Sequence, residues 1–219
     1  MRLAFCHNTF DRPNTLIQTI KVEKELFQDS IISVAYNNKR LIDFFRNNNY
    51  PSVINKYIYF EQEPHKIGCV NGLILSIQQI LDQDFDICIF SHDDVYINRE
   101  YIDIFNKNIN DIYNGYYDII CRSPEKLGNY IMMESIFFSK NAVTKLFNNI
   151  KTLNDENEID RDMRGSLSPE VWLANLINSN NNLNKNIIKY NHEDPEYNKI
   201  LGSLLGTYHK NIGMRGWLE

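Results

Sequence analysis

No stretch of this chain stays apolar over the ~20 residues that a membrane-spanning helix requires. An integral membrane segment is therefore not expected. The opening Met1-Arg2-Leu3-Ala4-Phe5-Cys6 turns polar too soon for a signal peptide. The expectation is a cytoplasmic protein, with peripheral attachment to a membrane left open. Positive charge is in deficit, with 23 Lys and Arg against 28 Asp and Glu, a net charge of −5 and no basic cluster. That balance argues against nucleic acid as a partner. Cysteine is limited to Cys6, Cys69, Cys88 and Cys121, scattered without metal-ligand spacing, three of them in strand-like apolar runs. They read as buried reduced thiols rather than disulfides, which suits a reducing compartment. Glycine is scarce, with 9 in the chain and none between His7 and Pro13, so that turn is no glycine-rich phosphate cradle. There is also no internal repeat and no domain linker.

What is present is an ordinary globular composition, 43% hydrophobic and 23% charged, arranged as alternating strands and helices. Leu3 to Cys6 reads as a strand, followed by a polar turn, His7 to Pro13, and a helix through Leu16, Ile17 and Ile20. Ser30 to Tyr36 is a β-branched strand, and Tyr57 to Phe60 a weaker one after a short helix near Leu41 to Phe45. Leu73, Ile74, Ile77, Ile80 and Leu81 mark an amphipathic helix from Cys69. It leads into the central strand, Ile87 to Phe90. This order predicts an α/β class with a mostly parallel Rossmann-like sheet and helices on both faces.

Further on, a helix is expected from Arg99 to Ile112, strands at Tyr117 to Cys121 and Tyr130 to Phe138, and a helix from Asn141 to Ile150. Lys151 to Ser168 is polar and unpatterned, which predicts a mobile loop. Ser168-Pro169-Glu170 then has the order of an N-cap, a first-position proline and a first-turn acid. A short strand at Ile187 to Tyr190 precedes a tail, Gly202 to Glu219, expected to be a loop or lid.

The strand Ile87 to Phe90 runs directly into Ser91-His92-Asp93-Asp94-Val95. Ligands of open α/β sheets sit at the carboxyl ends of strands. Two adjacent carboxylates there repel unless a cation or hydrogen bonds hold them, and their oxygens suit a hard divalent ion. A solvated Asp-Asp turn closing a strand is the plain alternative.

Three patches resemble the GT-A glycosyltransferases, enzymes that use nucleotide diphosphate sugars, over roughly residues 1 to 150. Thr9-Phe10-Asp11-Arg12-Pro13-Asn14-Thr15-Leu16 looks like the family's first strand-to-helix turn, Asn71-Gly72 like its Asn-Gly helix start, and His92-Asp93-Asp94-Val95 like its D-x-D metal motif. The chain departs from that motif in carrying His92 where the first Asp stands. The resemblance implies a single domain over 1–219, with a nucleotide-binding half to about residue 98 and an acceptor-side half from about 99. It implies Mn²⁺ or Mg²⁺ on Asp94, with Asp93 or His92 as an auxiliary contact, unless His92 makes only a structural hydrogen bond. Partners would be a nucleotide diphosphate sugar and a carbohydrate or other hydroxyl acceptor.

Thr9, Asp11, Arg12, Asn71, Asp93 and Glu134 are then candidates for donor binding, within a loop taken as His7 to Arg12 for the nucleotide. A capping Asp11, a surface Arg12 and a solvent-facing Glu134 are the alternatives. Glu170 is the candidate base for the acceptor hydroxyl, or else an acid that only stabilises its helix dipole. His209 is a candidate metal ligand, His192 a further late histidine, and Arg161 and Arg164 candidates to close over phosphates. An inactive GT-A-like module that binds a carbohydrate or a partner, and a nucleotidyltransferase, remain as alternatives.

Overall fold

The structure, a computed structural model, describes residues 1–9, 12–38, 41, 43, 53–61, 65–191 and 205–209. Its strands and helices are β1 (Leu3–Thr9), α1 (Pro13–Leu26), β2 (Ile31–Tyr36), β3 (Lys56–Tyr59), α2 (His65–Gln78), β4 (Ile87–His92), β5 (Val95–Ile97), α3 (Ile102–Tyr113), β6 (Ile119–Pro124), β7 (Ser135–Ser139), α4 (Lys140–Phe147), α5 (Pro169–Asn178), β8 (Lys185–Tyr190) and β9 (Thr207–His209).

Seven strands form one sheet in the order β3-β2-β1-β4-β7-β6-β8. β1 pairs in parallel with β2 and with β4, β2 with β3, and β6 with β8. β7 is antiparallel to both of its neighbours, β4 and β6. The sheet is mostly parallel with helices on both faces, as the strand and helix order requires. One apolar layer joins α2, α4 and α5 to the sheet through residues such as Leu73, Ile77, Phe138, Phe147 and Leu173. The other joins α1 and α3 through Leu16, Ile20, Phe5, Phe105 and Phe137. Because both faces are covered, β1 and β2 are buried along their whole length, which explains why they read as continuous apolar runs.

Several boundaries differ from the sequence reading. β1 does not stop at Cys6 but continues to Thr9, so His7, Asn8 and Thr9 are strand residues and not part of a nucleotide loop. Burial of these polar groups is tolerable because each finds a partner. His7 Nε2 lies 2.9 Å from Glu23 Oε2 of α1, and its Nδ1 lies 3.1 Å from Ser91 Oγ of β4. Burial pushes the Glu23 carboxyl upward, and the His7 ring beside it opposes that shift.

α2 starts at His65, so Asn71-Gly72 lies inside the helix and not at its start. The expected strand Tyr130 to Phe138 is strand only from Ser135; Ile131 and Met133 are buried from a loop, which is why the segment reads as apolar. The stretch Lys151 to Ser168 is not featureless. A short 3-10 turn at Glu156–Glu158 is closed by an Asp155 capping box, and Arg161 bridges to Leu167. In the tail, Leu205 and Gly206 lead into Thr207–His209, a strand paired with β5, and the other residues of that tail lie outside the described ones. All four cysteines are free thiols, and three of them are buried. Among the described residues no helix is long and apolar enough to cross a membrane.

Candidate active site at the carboxyl ends of β1 and β4

β1 and β4 lie side by side with Asn8 opposite His92, so the two strands end at the same level. From β1 the sheet continues to β2 and β3 on one side, and from β4 to β7 on the other. At such a reversal of strand order, open α/β sheets form their ligand crevice at the carboxyl ends of the strands. Two segments leave the sheet there. After β1 the chain enters α1, with Arg12 at the N-cap and Pro13 at the first helical position. After β4 it makes the tight turn Asp93-Asp94 into β5, whose partner is β9.

Asp93 and Asp94 are both buried, and each has its own partner. Thr9 Oγ1 donates to Asp93 Oδ2 at 2.6 Å. The Arg12 guanidinium donates to Asp94 Oδ2. A neutral donor on one acid and a cation on the other relieve the repulsion between adjacent anions. The sequence candidates Thr9, Arg12, Asp93 and Asp94 are thus brought together, with Thr9 acting on Asp93. Asp11 lies outside the described residues.

The opposite wall comes from the second half of the chain. Glu134 sits in the turn before β7, where its carbonyl accepts from the His92 N–H at 3.4 Å. Its carboxylate pairs with Arg122 of β6, which has no solvent exposure. A guanidinium withdrawn from water in this way requires a carboxylate beside it. Glu134 is therefore neither solvent-facing nor inside a strand. The His92 ring meets the Phe90 ring edge-on, with centroids 5.8 Å apart.

Glu170 occupies the first turn of α5, as the Ser-Pro-Glu order predicts. Ser168 is the N-cap and accepts from Val171 N–H at 3.3 Å. Its hydroxyl donates to Glu170 Oε2 at 2.9 Å. The Tyr130 phenol shares hydrogen bonds with both Ser168 and Glu170; burial first, then the Glu170 charge, holds it above its ordinary range. Cys69 of α2 is influenced by acids from both halves of the chain. Burial pushes its thiol up to about 12, and the charges of Glu170 and Asp93 act in the same direction. Glu170 and Asp93 are thus both near enough to the Cys69 thiol for their charges to act on it.

Asn71 has a different place. Its Nδ2 donates to Leu153 O at 2.9 Å, and its Oδ1 accepts from Leu153 N–H at 2.7 Å. The amide clamps the segment after α4 to α2, so both ends of the group expected at a helix start serve a backbone peptide. The adjacent Gly72 is also accounted for: a Cβ there would lie 2.1 Å from Asn8 Cγ, so glycine lets the end of β1 pack against α2. Arg161 and Arg164 hold their own loop, through Gly165 O and Asp162, and His192 lies outside the described residues.

The backbone of His209 pairs with Val95, the residue after Asp94. Among the described residues no three His, Cys, Asp or Glu side chains gather into a ready-made metal cage. Arg122 and Tyr130 were not identified from the sequence. Arg122 left one signal, a lone arginine ending an apolar strand; Tyr130 left none.

No family model and no curated protein matches the chain. Solved structures match it in shape. S. aureus TarS, in a structure covering its residues 1–349, gives a TM-score of 0.51 at 10% identity, over 86% of this chain and 58% of that one. The fold is of the GT-A type. Another TarS structure gives 0.50 at 11% identity, over 86% of this chain and 35% of that one. This GT-A-type chain therefore spans between a third and three fifths of those TarS chains. A glycosyltransferase involved in the glycosylation of the major capsid of PBCV-1 matches over 99% of this chain and 96% of its own, at 12% identity and a TM-score of 0.49.

Proposed function

We propose that this chain is a glycosyltransferase that moves a sugar from a nucleotide diphosphate sugar to a hydroxyl acceptor, in glycan or polysaccharide synthesis. The observation that carries this reading is the pair of buried carboxylates, Asp93 and Asp94, at the strand-order reversal, with the charges of Glu170 and Asp93 both acting on the Cys69 thiol. Asp93, Asp94, Glu134 and Glu170 outnumber the two guanidiniums of Arg12 and Arg122, which are already paired with Asp94 and Glu134. A diphosphate entering such a crevice needs additional positive charge.

Mg²⁺ or Mn²⁺ fits the donor set. Such ions are commonly held by one or two carboxylates, with phosphate oxygens and water completing the shell. Asp94 would hold the ion, and His209, whose backbone pairs with the residue after Asp94, would be its second protein ligand. When bound, the ion supplies neutralisation of the charge that develops on the leaving diphosphate.

The chain's own groups do the rest. Thr9 fixes Asp93, which with Asp94 sets the floor of the donor site. Asp11 and Arg12 contact the base and the phosphates. Glu134, oriented by Arg122, accepts hydrogen bonds from the donor sugar. Glu170, oriented by Ser168 and Tyr130, accepts the proton of the acceptor hydroxyl. The acceptor oxygen then bonds to the anomeric carbon as the bond to the diphosphate breaks, and that electron pair leaves with the diphosphate.

The test is a thermal-shift panel of UDP, GDP, CMP and dTDP, each with Mn²⁺ and with EDTA, followed by turnover of the matching nucleotide sugar. Stabilisation by one nucleotide, dependent on Mn²⁺ and lost in Asp94→Asn, is the expected result. Glu170→Gln should then keep nucleotide binding and lose transfer. No stabilisation by any nucleotide in the presence of Mn²⁺ would overturn the proposal.

A further inference from the structure

Ser91 leads into the acidic turn and closes a polar chain that the transfer chemistry leaves unused. His7, Glu23 and Ser91 are each at most 4% exposed. His7 and Ser91 are register partners on β1 and β4, so their side chains share a face of the sheet. His7 Nδ1 lies 3.1 Å from Ser91 Oγ, and its Nε2 lies 2.9 Å from Glu23 Oε2. On the other side of Ser91, its register partner on β7 is Ser135, which has no solvent exposure. The Ser135 Oγ finds no hydrogen-bond partner among the described residues. Opposed side chains start from Cβ atoms about 4.5–5.5 Å apart, a distance that rotation of the two hydroxyls can span.

Proton count fixes the direction of the His7–Ser91 bond. When His7 and Glu23 share one proton, either an imidazolium Nε2–H donates to the carboxylate or the Glu23 O–H donates to Nε2 of a neutral ring. In both forms Nδ1 carries a hydrogen and donates to Ser91 Oγ. Without that proton the ring keeps its hydrogen on Nε2, beside the carboxylate, and Nδ1 accepts from the Ser91 hydroxyl. Uptake of one proton therefore frees the Ser91 hydroxyl to donate elsewhere, and Ser135 Oγ is a buried acceptor directly opposite.

We propose that His7 is a positioning residue for the acidic turn, its protonated pair with Glu23 releasing the Ser91 hydroxyl to tie β4 to Ser135 of β7. This rests on the reading of Asp93 and Asp94 as the donor site. The tie adds to a long backbone contact one residue along, His92 N–H to Glu134 O at 3.4 Å. Together they set Asp93 and Asp94 against Glu134. Thr19, one turn before Glu23 on α1, lies 3.5 Å from Asp93 O, so the helix meets the turn as well. A lone buried carboxylate is costly, which favours the proton-sharing pair, and burial raises the Glu23 carboxyl accordingly. Lys24 of α1 opposes that rise, as His7 does. From β1, burial first, then Cys88 of β4 and Glu23, hold the Cys6 thiol well above its ordinary range, so it stays protonated. Past Ser91 stands Asp93, bound by Thr9, and next to Ser135 stands Glu134, paired with Arg122.

Nitrogen-15 resonance of the histidine rings reads the reversal, with the His7 signal assigned by its loss in His7→Gln or, should that variant not fold, by its displacement in Ser91→Ala. As pH rises across about 5 to 8, His7 Nδ1 should pass from protonated to unprotonated. Ser135→Ala should move that change to lower pH, because the protonated form loses its added bond. Calorimetry with Mn²⁺ premixed with inorganic pyrophosphate then reads the site. At the acid end Ser135→Ala should bind it about three- to tenfold more weakly than wild type, the worth of one neutral hydrogen bond, and at the alkaline end equally well. A constant Nδ1 state over this range, or equal affinities at both ends, would overturn the inference and leave the donor site standing. Wild type that binds no Mn²⁺–pyrophosphate at either end would overturn the donor site, and the positioning role with it.

Discussion

The Asn71 clamp yields a prediction that separates structure from ligand binding at one residue. Asn71 is 1% exposed, and its amide satisfies both the N–H and the C=O of the buried Leu153. Asn71→Ala removes both partners at once. A buried polar group left unsatisfied costs about 1–3 kcal/mol, so the pair costs about 2–6 kcal/mol. The higher helix propensity of Ala returns about 0.5 kcal/mol. Asn71→Asp keeps an acceptor for Leu153 N–H but turns a carboxylate oxygen toward Leu153 O, so it should be at least as damaging. Urea unfolding measures this as a lower midpoint at unchanged slope. Nucleotide affinity of the remaining folded protein should stay near wild type. An Asn71→Ala variant within about 0.5 kcal/mol of wild type would refute the clamp, and more so if nucleotide affinity had fallen.

Three further predictions follow from particular contacts. In Gly206→Ala the new Cβ would sit 2.6 Å from the backbone N of Phe105, at a φ of +71°. A left-handed backbone alone costs about 1–2 kcal/mol, so hydrogen exchange at residues 95–97 should rise as β9 detaches from β5. Gly72→Ala should destabilise by about 1–3 kcal/mol through collision with Asn8, and Asn8→Ala should relieve most of it in the double variant, read by thermal melts. Burial raises the Glu23 carboxyl above its unfolded value of 4.5. Its contribution to stability is therefore full below that value and is lost as pH rises through the folded pKa. Glu23→Gln removes this dependence, so melts of wild type minus variant should decline across that window, and a flat difference would contradict the assignment.

The parallel half of the sheet was legible because its strands are buried on both faces. Ile31 to Tyr36 and Ile87 to Phe90 have no solvent side to interrupt their apolar runs, and the helices between them repeat with period 3.6. Ser168-Pro169-Glu170 was legible because capping chemistry is local. Strand direction is not local, and nothing in Ser135 to Ser139 announces that β7 runs against its neighbours. Ile131 and Met133 misled in the opposite sense, since loop residues that plug a core carry the same apolar signal as a strand. Asn71-Gly72 was noticed for one reason and placed by the fold for two others, the Leu153 clamp and the approach of Asn8. The three-residue strands β5 and β9 are too short to show any period. Arg122 and Tyr130 act through partners distant in sequence, Glu134 and Glu170, which only the folded chain brings near.

The pairing of β5 with β9 sets a timetable for the protein's synthesis. Its partners lie roughly 110 positions apart, so the ribbon beside Asp93 and Asp94 stays half-built while the residues between them are made. Closing a loop of that length has a large entropic cost, which the few hydrogen bonds of a three-residue strand repay poorly on their own. A nascent chain emerging from the ribosome can thus assemble the parallel half of the sheet well before the acidic turn gains its last neighbour. The turn that carries Asp93 and Asp94 would gain this neighbour only once residues 207–209 have been made, and the proposed donor site would be complete only from then on.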